Sequence, residues 1–202
     1  MVRAMSSQLT ESKRRLRQQM SRLRKDLTPA DSARAGQSAA IALIDLGLAR
    51  RAQRIGLYAA LPYELPTRPL FDAVVEKGGV ALLPRSADPT GLEFFAVEHW
   101  EDLRPGAFGV LEPQNDGAAV RWMPGDLVVV PGVAFDEDGY RLGHGKGYYD
   151  RAFATELGDV PTLVGFGYEF QIVDAVPHDR RDRQMDAIVT DQKVRDCSGC
   201  LR

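Results

Sequence analysis

Two hydrophobic periods alternate along this chain, and the alternation leaves few folds open to it. In TESKRRLRQQMSRLRKDL, Leu16, Met20, Leu23 and Leu27 recur at steps of four, three and four, which predicts a helix with an apolar face and a basic one. In TPADSARAGQSAAIALIDLGLAR, Thr28 is placed to cap a second helix, with Pro29 at its first position. The period then changes. RIGLYAAL reads as a short buried strand, TRPLFDAVVEKGG as a helix burying Leu70, Phe71, Val74 and Val75, and VALLPR as a strand again. LEFFAVE, DLVVVPG, PTLVGFG and DAIVTD predict further strands, with YYDRAFATEL as a helix between the second and third of these. Near-continuous apolar strands interleaved with helices indicate an α/β fold around a largely parallel sheet covered on both faces. With no repeat and no linker, residues 1–202 read as a single domain, ending in a short mobile tail at about 195–202.

Ligands of such sheets sit at the carboxyl ends of the strands. Polar residues collect after those ends: Tyr63, Glu64 and Thr67 after the first strand, Arg85 after the second, and DGYRLGHGKGYYDR after DLVVVPG. Gly143, Gly145 and Gly147 alternate there, so successive N–H groups can turn toward one anion without a Cβ in the way, next to the start of a helix at Tyr148. Lys146 supplies a point charge, and His144 a donor. Tight turns alone explain three alternate glycines equally well, and neither standard nucleotide fingerprint is met.

The balance of 26 basic and 28 acidic residues, net charge −2, argues against bulk affinity for nucleic acid. No apolar run approaches the ~20 residues of a membrane helix, and the first residues lack the apolar core of a secretory signal, so a cytoplasmic protein without a membrane partner is expected. Cys197 and Cys200 read as two thiols on the tail.

VVVPGVAFDEDGYRLGHGKGYYDR resembles the signature of the 5-formyltetrahydrofolate cyclo-ligase (5,10-methenyltetrahydrofolate synthetase) family, and KRRLR, YELPT, PGAFGVLEP and FQIVDAVPHDRRDRQMDAIVTD extend the resemblance over almost the whole chain. It implies a three-layer α/β/α architecture of the NagB/RpiA/CoA-transferase-like type. It also implies a monomeric enzyme that uses ATP and Mg2+ to close a ring on 5-formyltetrahydrofolate, which can be polyglutamylated, through a phosphorylated formyl intermediate. By the same resemblance, Lys13, Arg17, Arg141, Gly143, His144, Gly145, Lys146, Gly147 and Tyr148 would hold ATP. Arg17, Glu64, Phe108, Lys146, Tyr148 and Tyr149 would hold the folate. Lys146, His144 and Tyr149 would be catalytic, and Asp150 and Asp182 would bind the metal, with Asp179 and Asp186 as nearby competitors.

Residue by residue, other readings stand beside these. Asp150 suits a first-turn acid and Asp182 a partner for its arginines. Lys13 and Arg17 suit a solvated face, as Arg14, Arg15, Arg22, Arg24 and Lys25 are expected to form. Histidine at position 144, often arginine in the family, predicts weaker or pH-dependent phosphate contact, since a free imidazole titrates near ~6.5. A binding module without activity, or an enzyme acting on a sugar phosphate or coenzyme A ester, would use a similar loop. Glu64, Phe108 and the two tyrosines suit a flat pterin better than a sugar.

Overall fold

The computed structural model describes residues 2–87, 91–106, 109–114, 117–154, 161–199 and 201, with side chains from residue 8 onward. Five strands form its parallel centre: β1 (Arg54–Gly56), β2 (Val80–Ala87), β6 (Leu127–Pro131), β9 (Thr162–Gly167) and β10 (Ala187–Thr190). Two antiparallel strands, β3 (Gly91–Val97) on β2 and β11 (Val194–Asp196) on β10, complete a seven-stranded sheet of order β11-β10-β9-β6-β1-β2-β3. The chain winds outward from β1 through β2 to β3, then crosses back to β6 and winds the other way. The crevice between the carboxyl ends of β1 and β6 is therefore the topological switch point, where sheets of this kind bind ligands.

One face of the sheet buries α2 (Pro29–Asp45) and α4 (Arg68–Glu76). Ala39 and Leu43 of α2 and Leu70, Phe71 and Val74 of α4 share a core with Ile55, Leu57, Val129 and Val164. Burying a side chain the size of Leu43 or Leu70 contributes about 1.5–3 kcal/mol. Thr28 caps α2 as expected, its hydroxyl accepting from the Asp31 N–H at 3.1 Å. The predicted second helix is broken, because Gly47 turns at φ 77° and restarts the chain as α3 (Leu48–Arg51).

The opposite face carries Leu82, Phe94, Val128, Val130, Leu163 and Ile188 under Phe153, Trp122 and Tyr149. Its helix is shorter than the sequence predicts. α5 spans Tyr148–Ala152, and Phe153 leaves the helix to enter the core at 2 % exposure. The end of the predicted helix, residues 155–157, lies outside the described residues.

α1 (Val2–Leu23) does not dock on the main sheet. Leu16 and Met20 pack with Val133, Ala134, Leu142 and Val176, around a hairpin of β7 (Ala134–Phe135) and β8 (Arg141–Leu142) that stands beyond the strand ends. Leu23, expected on the apolar face, is 46 % exposed. The hairpin is anchored by Phe135, whose ring fills space that a Cβ at Gly132, Gly165 or Gly167 would occupy, at 2.5, 2.7 and 2.8 Å. A second ribbon, β4 (Arg104–Pro105) with β5 (Leu111–Glu112), flanks the β2 side. At the C-terminus β11 takes up residues 194–196, where a tail was expected to begin, and Cys197 packs half-buried against the second core cluster. Cys200 lies outside the described residues.

Candidate active site

Three cavities meet around the glycine loop. The largest, about 1120 Å3, is lined by Lys13, Gly145, Lys146, Gly147, Asp150, Arg151, Asp182 and neighbouring arginines of the 178–184 loop. A second, about 360 Å3 and more apolar, lies at the switch point among Tyr58, Glu64, Pro84, Pro131, Arg141, Tyr148 and Tyr149. The two share Lys146, Gly147 and Asp150. A third, about 430 Å3, is lined by Arg17, Ser21, Arg24, Lys25, Tyr63, Val133 and His144.

Gly145 and Gly147 adopt φ 97° and 68°, conformations in which a side chain is strained. α1 braces the loop: the Arg17 Nε–H donates to the Gly143 carbonyl at 2.9 Å. One turn earlier, Lys13 Nζ meets Asp182 Oδ2 at 2.7 Å. The same Asp182 oxygen accepts the Asp179 N–H at 2.7 Å. The i,i+4 pair on α1 thus ties the glycine loop to the acidic loop of the large cavity. Arg141 is buried, its Nη2 donating to Asp150 Oδ1 at 2.6 Å, so neither charge is isolated in the wall between the two cavities.

Glu64 is 7 % exposed. Its Oε2 accepts the Leu61 N–H at 3.0 Å, and its Oε1 lies 3.4 Å from His144 Nε2. The His144 ring packs edge-on against Tyr63, centroids 5.5 Å apart. Burial pushes the Tyr149 phenol far above its ordinary value, Glu64 adding to the effect and Arg141 opposing it, so that hydroxyl remains a proton donor.

The sequence from residue 9 to 191 matches the model of the 5-formyltetrahydrofolate cyclo-ligase family. The chain belongs to that family. A probable 5-formyltetrahydrofolate cyclo-ligase of Schizosaccharomyces pombe is 34% identical over 166 residues, 75% of this chain and 81% of the relative. The 5-formyltetrahydrofolate cyclo-ligase of Escherichia coli K12 is 29% identical over 174 residues, 85% and 96% of the two chains. The solution structure of Aquifex aeolicus 5,10-methenyltetrahydrofolate synthetase superposes with a TM-score of 0.78 at 34% identity, covering 92% of each chain. These likenesses make the protein an enzyme of the folate cyclo-ligase class and agree with its α/β architecture.

Within this cyclo-ligase fold, the residues singled out in the sequence divide by cavity. Lys13, Gly145, Lys146, Gly147, Asp150 and Asp182 line the large one. Glu64, Arg141, Gly143, His144, Tyr148 and Tyr149 line the small one, which Lys146, Gly147 and Asp150 also border. His144 therefore sits beside Glu64 and away from the large cavity. Arg17 faces the third cavity. Phe108 lies outside the described residues.

Two rim residues turn elsewhere. Thr67 is buried and donates its hydroxyl to the Tyr58 carbonyl. Arg85 stacks on Phe95, 3.9 Å from the ring centroid. The α5 N-terminus gives the loop little dipole, because five residues sum few peptide units. Asp179 is held down to about 2 by the Arg181 guanidinium, and Asp186 serves the backbone, accepting the Leu163 N–H at 2.8 Å.

Three features escaped the sequence reading. Glu112, 7 % exposed, accepts from the Ser86 hydroxyl at 2.8 Å, and both line the small cavity. Tyr140 and His178 stack at 3.5 Å and 3° on the wall of the large one. Arg24 is no solvated base: its Nη2 donates to the Gly132 carbonyl at 3.0 Å and its guanidinium covers Tyr63 at 5.4 Å. Glu112 stood inside the PGAFGVLEP block, whereas Arg24 carried no local signal.

Proposed function

We propose that the protein converts 5-formyltetrahydrofolate to 5,10-methenyltetrahydrofolate with cleavage of ATP to ADP and phosphate. The observation that carries this reading is the shared wall. A large polar cavity suited to a triphosphate and a small apolar one suited to a bicyclic ring share Lys146, Gly147 and Asp150 in their linings.

A formyl oxygen is a poor leaving group, so ring closure needs it converted to phosphate. The formyl oxygen attacks the γ-phosphorus, the bond to the β-phosphate oxygen breaks, and ADP departs. The lone pair of N10 then adds to the activated carbon, the carbon–oxygen bond breaks with release of phosphate, and the N10 proton is lost. Phosphoryl transfer asks mainly for positioning and charge stabilisation. Lys146 stands where the transferred phosphoryl group passes between cavities, and Lys13 reaches the same chamber from α1. Glu64 accepts from ring N–H groups, while Tyr148 and Tyr149 give the ring flat apolar walls.

A magnesium ion, when bound with the nucleotide, would neutralise phosphate charge. Asp150 and Asp182 fit that role as hard oxygen donors on the walls of the large cavity. Among the described residues no group of three or more His, Cys, Asp or Glu side chains is gathered to hold a metal unaided. That suits an ion carried largely by phosphate and water, with one or two carboxylates.

The test is isotopic. Substrate labelled with 18O in the formyl group should deliver the label to inorganic phosphate, one atom per turnover. Label released to water would remove the phosphorylated intermediate from the account.

A further inference from the structure

One cation on the wall of the large cavity has no role in the scheme above. The three carboxylates lining that cavity are each met by a cation: Asp150 by Arg141, Asp179 by Arg181 and Asp182 by Lys13. Two further arginines there are accounted for, since Arg151 donates to the Lys146 carbonyl at 2.9 Å and lies over the Tyr148 ring, and Arg180 is exposed to solvent. Arg183 is different. Its side chain is half-buried, its Nε is buried with no hydrogen-bond partner, and among the described residues no carboxylate pairs with its guanidinium. A buried donor left in that state costs stability unless a ligand or water meets it.

The backbone of Arg183 places it between the two acids proposed for the metal. Its N–H donates to Asp150 Oδ1 at 3.4 Å, the oxygen that also accepts from Arg141, and it directly follows Asp182 in the chain. Yet Arg183 lines the large cavity alone, whereas Lys146, Gly147 and Asp150 line both cavities. In the scheme above the γ-phosphoryl group is transferred where the two linings meet. A cation set back from that wall faces the phosphates that stay with the nucleotide.

We propose that Arg183 is a nucleotide-binding residue whose guanidinium grips the phosphates that depart as ADP. This rests on the ATP reading of the large cavity. A guanidinium is always charged and presents its donors in a planar fork, the geometry that fits two phosphate oxygens at once. The grip is the same before and after transfer, so it strengthens binding of substrate and product alike and leaves the chemical barrier unaltered.

The experiment measures binding of ADP and of 5-formyltetrahydrofolate by titration calorimetry in the wild type, Arg183→Lys and Arg183→Gln, and unfolds each ligand-free protein in urea. Arg183→Gln should weaken ADP by about 10- to 150-fold, the range for a hydrogen bond to a charged group, and raise KM for ATP in step. Affinity for the folate should stay as in the wild type. Arg183→Lys keeps the charge without the fork, so its ADP affinity should fall between the two. Because the native Nε has no partner to lose, Arg183→Gln should not lower the urea midpoint, whereas removal of an arginine that held the fold together would. Unchanged ADP affinity in Arg183→Gln, an equal loss of ADP and folate, or a lowered midpoint would each overturn the proposal. A wild type that binds the folate but neither ADP nor ATP would instead remove the nucleotide reading, and this inference with it.

Discussion

Replacing Glu64 by glutamine isolates what its charge contributes. The side chain keeps its shape, and its amide oxygen can still accept the Leu61 N–H that Oε2 accepts at 3.0 Å. The amide nitrogen can face His144 where Oε1 stood, at 3.4 Å. Local structure is therefore retained, while the proposed acceptor for ring N–H groups loses its charge. Hydrogen bonds to a buried charged group are worth about 1.5–3 kcal/mol, so KM for the folate should rise by about 10- to 150-fold. Because the contact forms on binding and persists through the reaction, kcat should change by less than about threefold, and KM for ATP should stay put. Initial rates with each substrate varied in turn separate these outcomes. A folate KM within twofold of wild type, or a change confined to ATP, would refute the assignment of Glu64 to the folate. Glu64→Ala serves as the control for folding: it leaves the Leu61 N–H without its acceptor and should lower stability by about 1–3 kcal/mol in urea.

Two predictions concern the scaffold. At Gly165→Ala the new Cβ would stand 2.7 Å from Phe135 Cε1, in a ring that is fully buried, so overpacking should destabilise the protein by about 1–3 kcal/mol, read as a lower urea midpoint. Glu169 is held below the usual carboxylate range chiefly by its hydrogen bonds to Arg195, at 2.7 and 3.0 Å. A depressed folded-state pKa gives stability that is fully present above the unfolded value of ~4.3 and is lost as pH falls through the folded value. Glu169→Gln should accordingly lower the urea midpoint at pH 7 and flatten its decline below about pH 4.5, and an unchanged acid limb would contradict the linkage. Chelating magnesium should abolish turnover on ATP while leaving the thermal midpoint of the ligand-free enzyme unaltered, because Asp150 and Asp182 are already paired with Arg141 and Lys13.

The central strands were legible because a parallel strand buried on both faces is apolar along its length, as LVVV and AIV are. The glycine loop was legible for a related reason: backbone that turns through positive φ leaves glycine as its trace. What the sequence withheld are pairings between distant residues. An amphipathic stripe shows that α1 has a buried face but not how far its platform extends, so Leu23 was placed inside. Arg24 looked like any surface base, since its partner carbonyl lies 108 residues away. The same holds for Glu112 and Ser86, joined across 26 residues by the packing of β5 beside β2. The glycine loop made His144 a candidate donor to phosphate, and its ring nitrogen lies 3.4 Å from Glu64, a partner that spacing along one loop does not reveal.

The most direct test of the account follows methenyl product by its ultraviolet absorbance, with 5-formyltetrahydrofolate and magnesium. Wild-type protein is compared with ATP, without nucleotide, and alongside Lys146→Ala with ATP. The account predicts product only when ATP is present, and a kcat about 10²- to 10³-fold lower for the variant, the range for removing one charge-stabilising donor. Product formed without ATP, or a Lys146→Ala variant as fast as wild type, would contradict phosphoryl transfer across the shared wall.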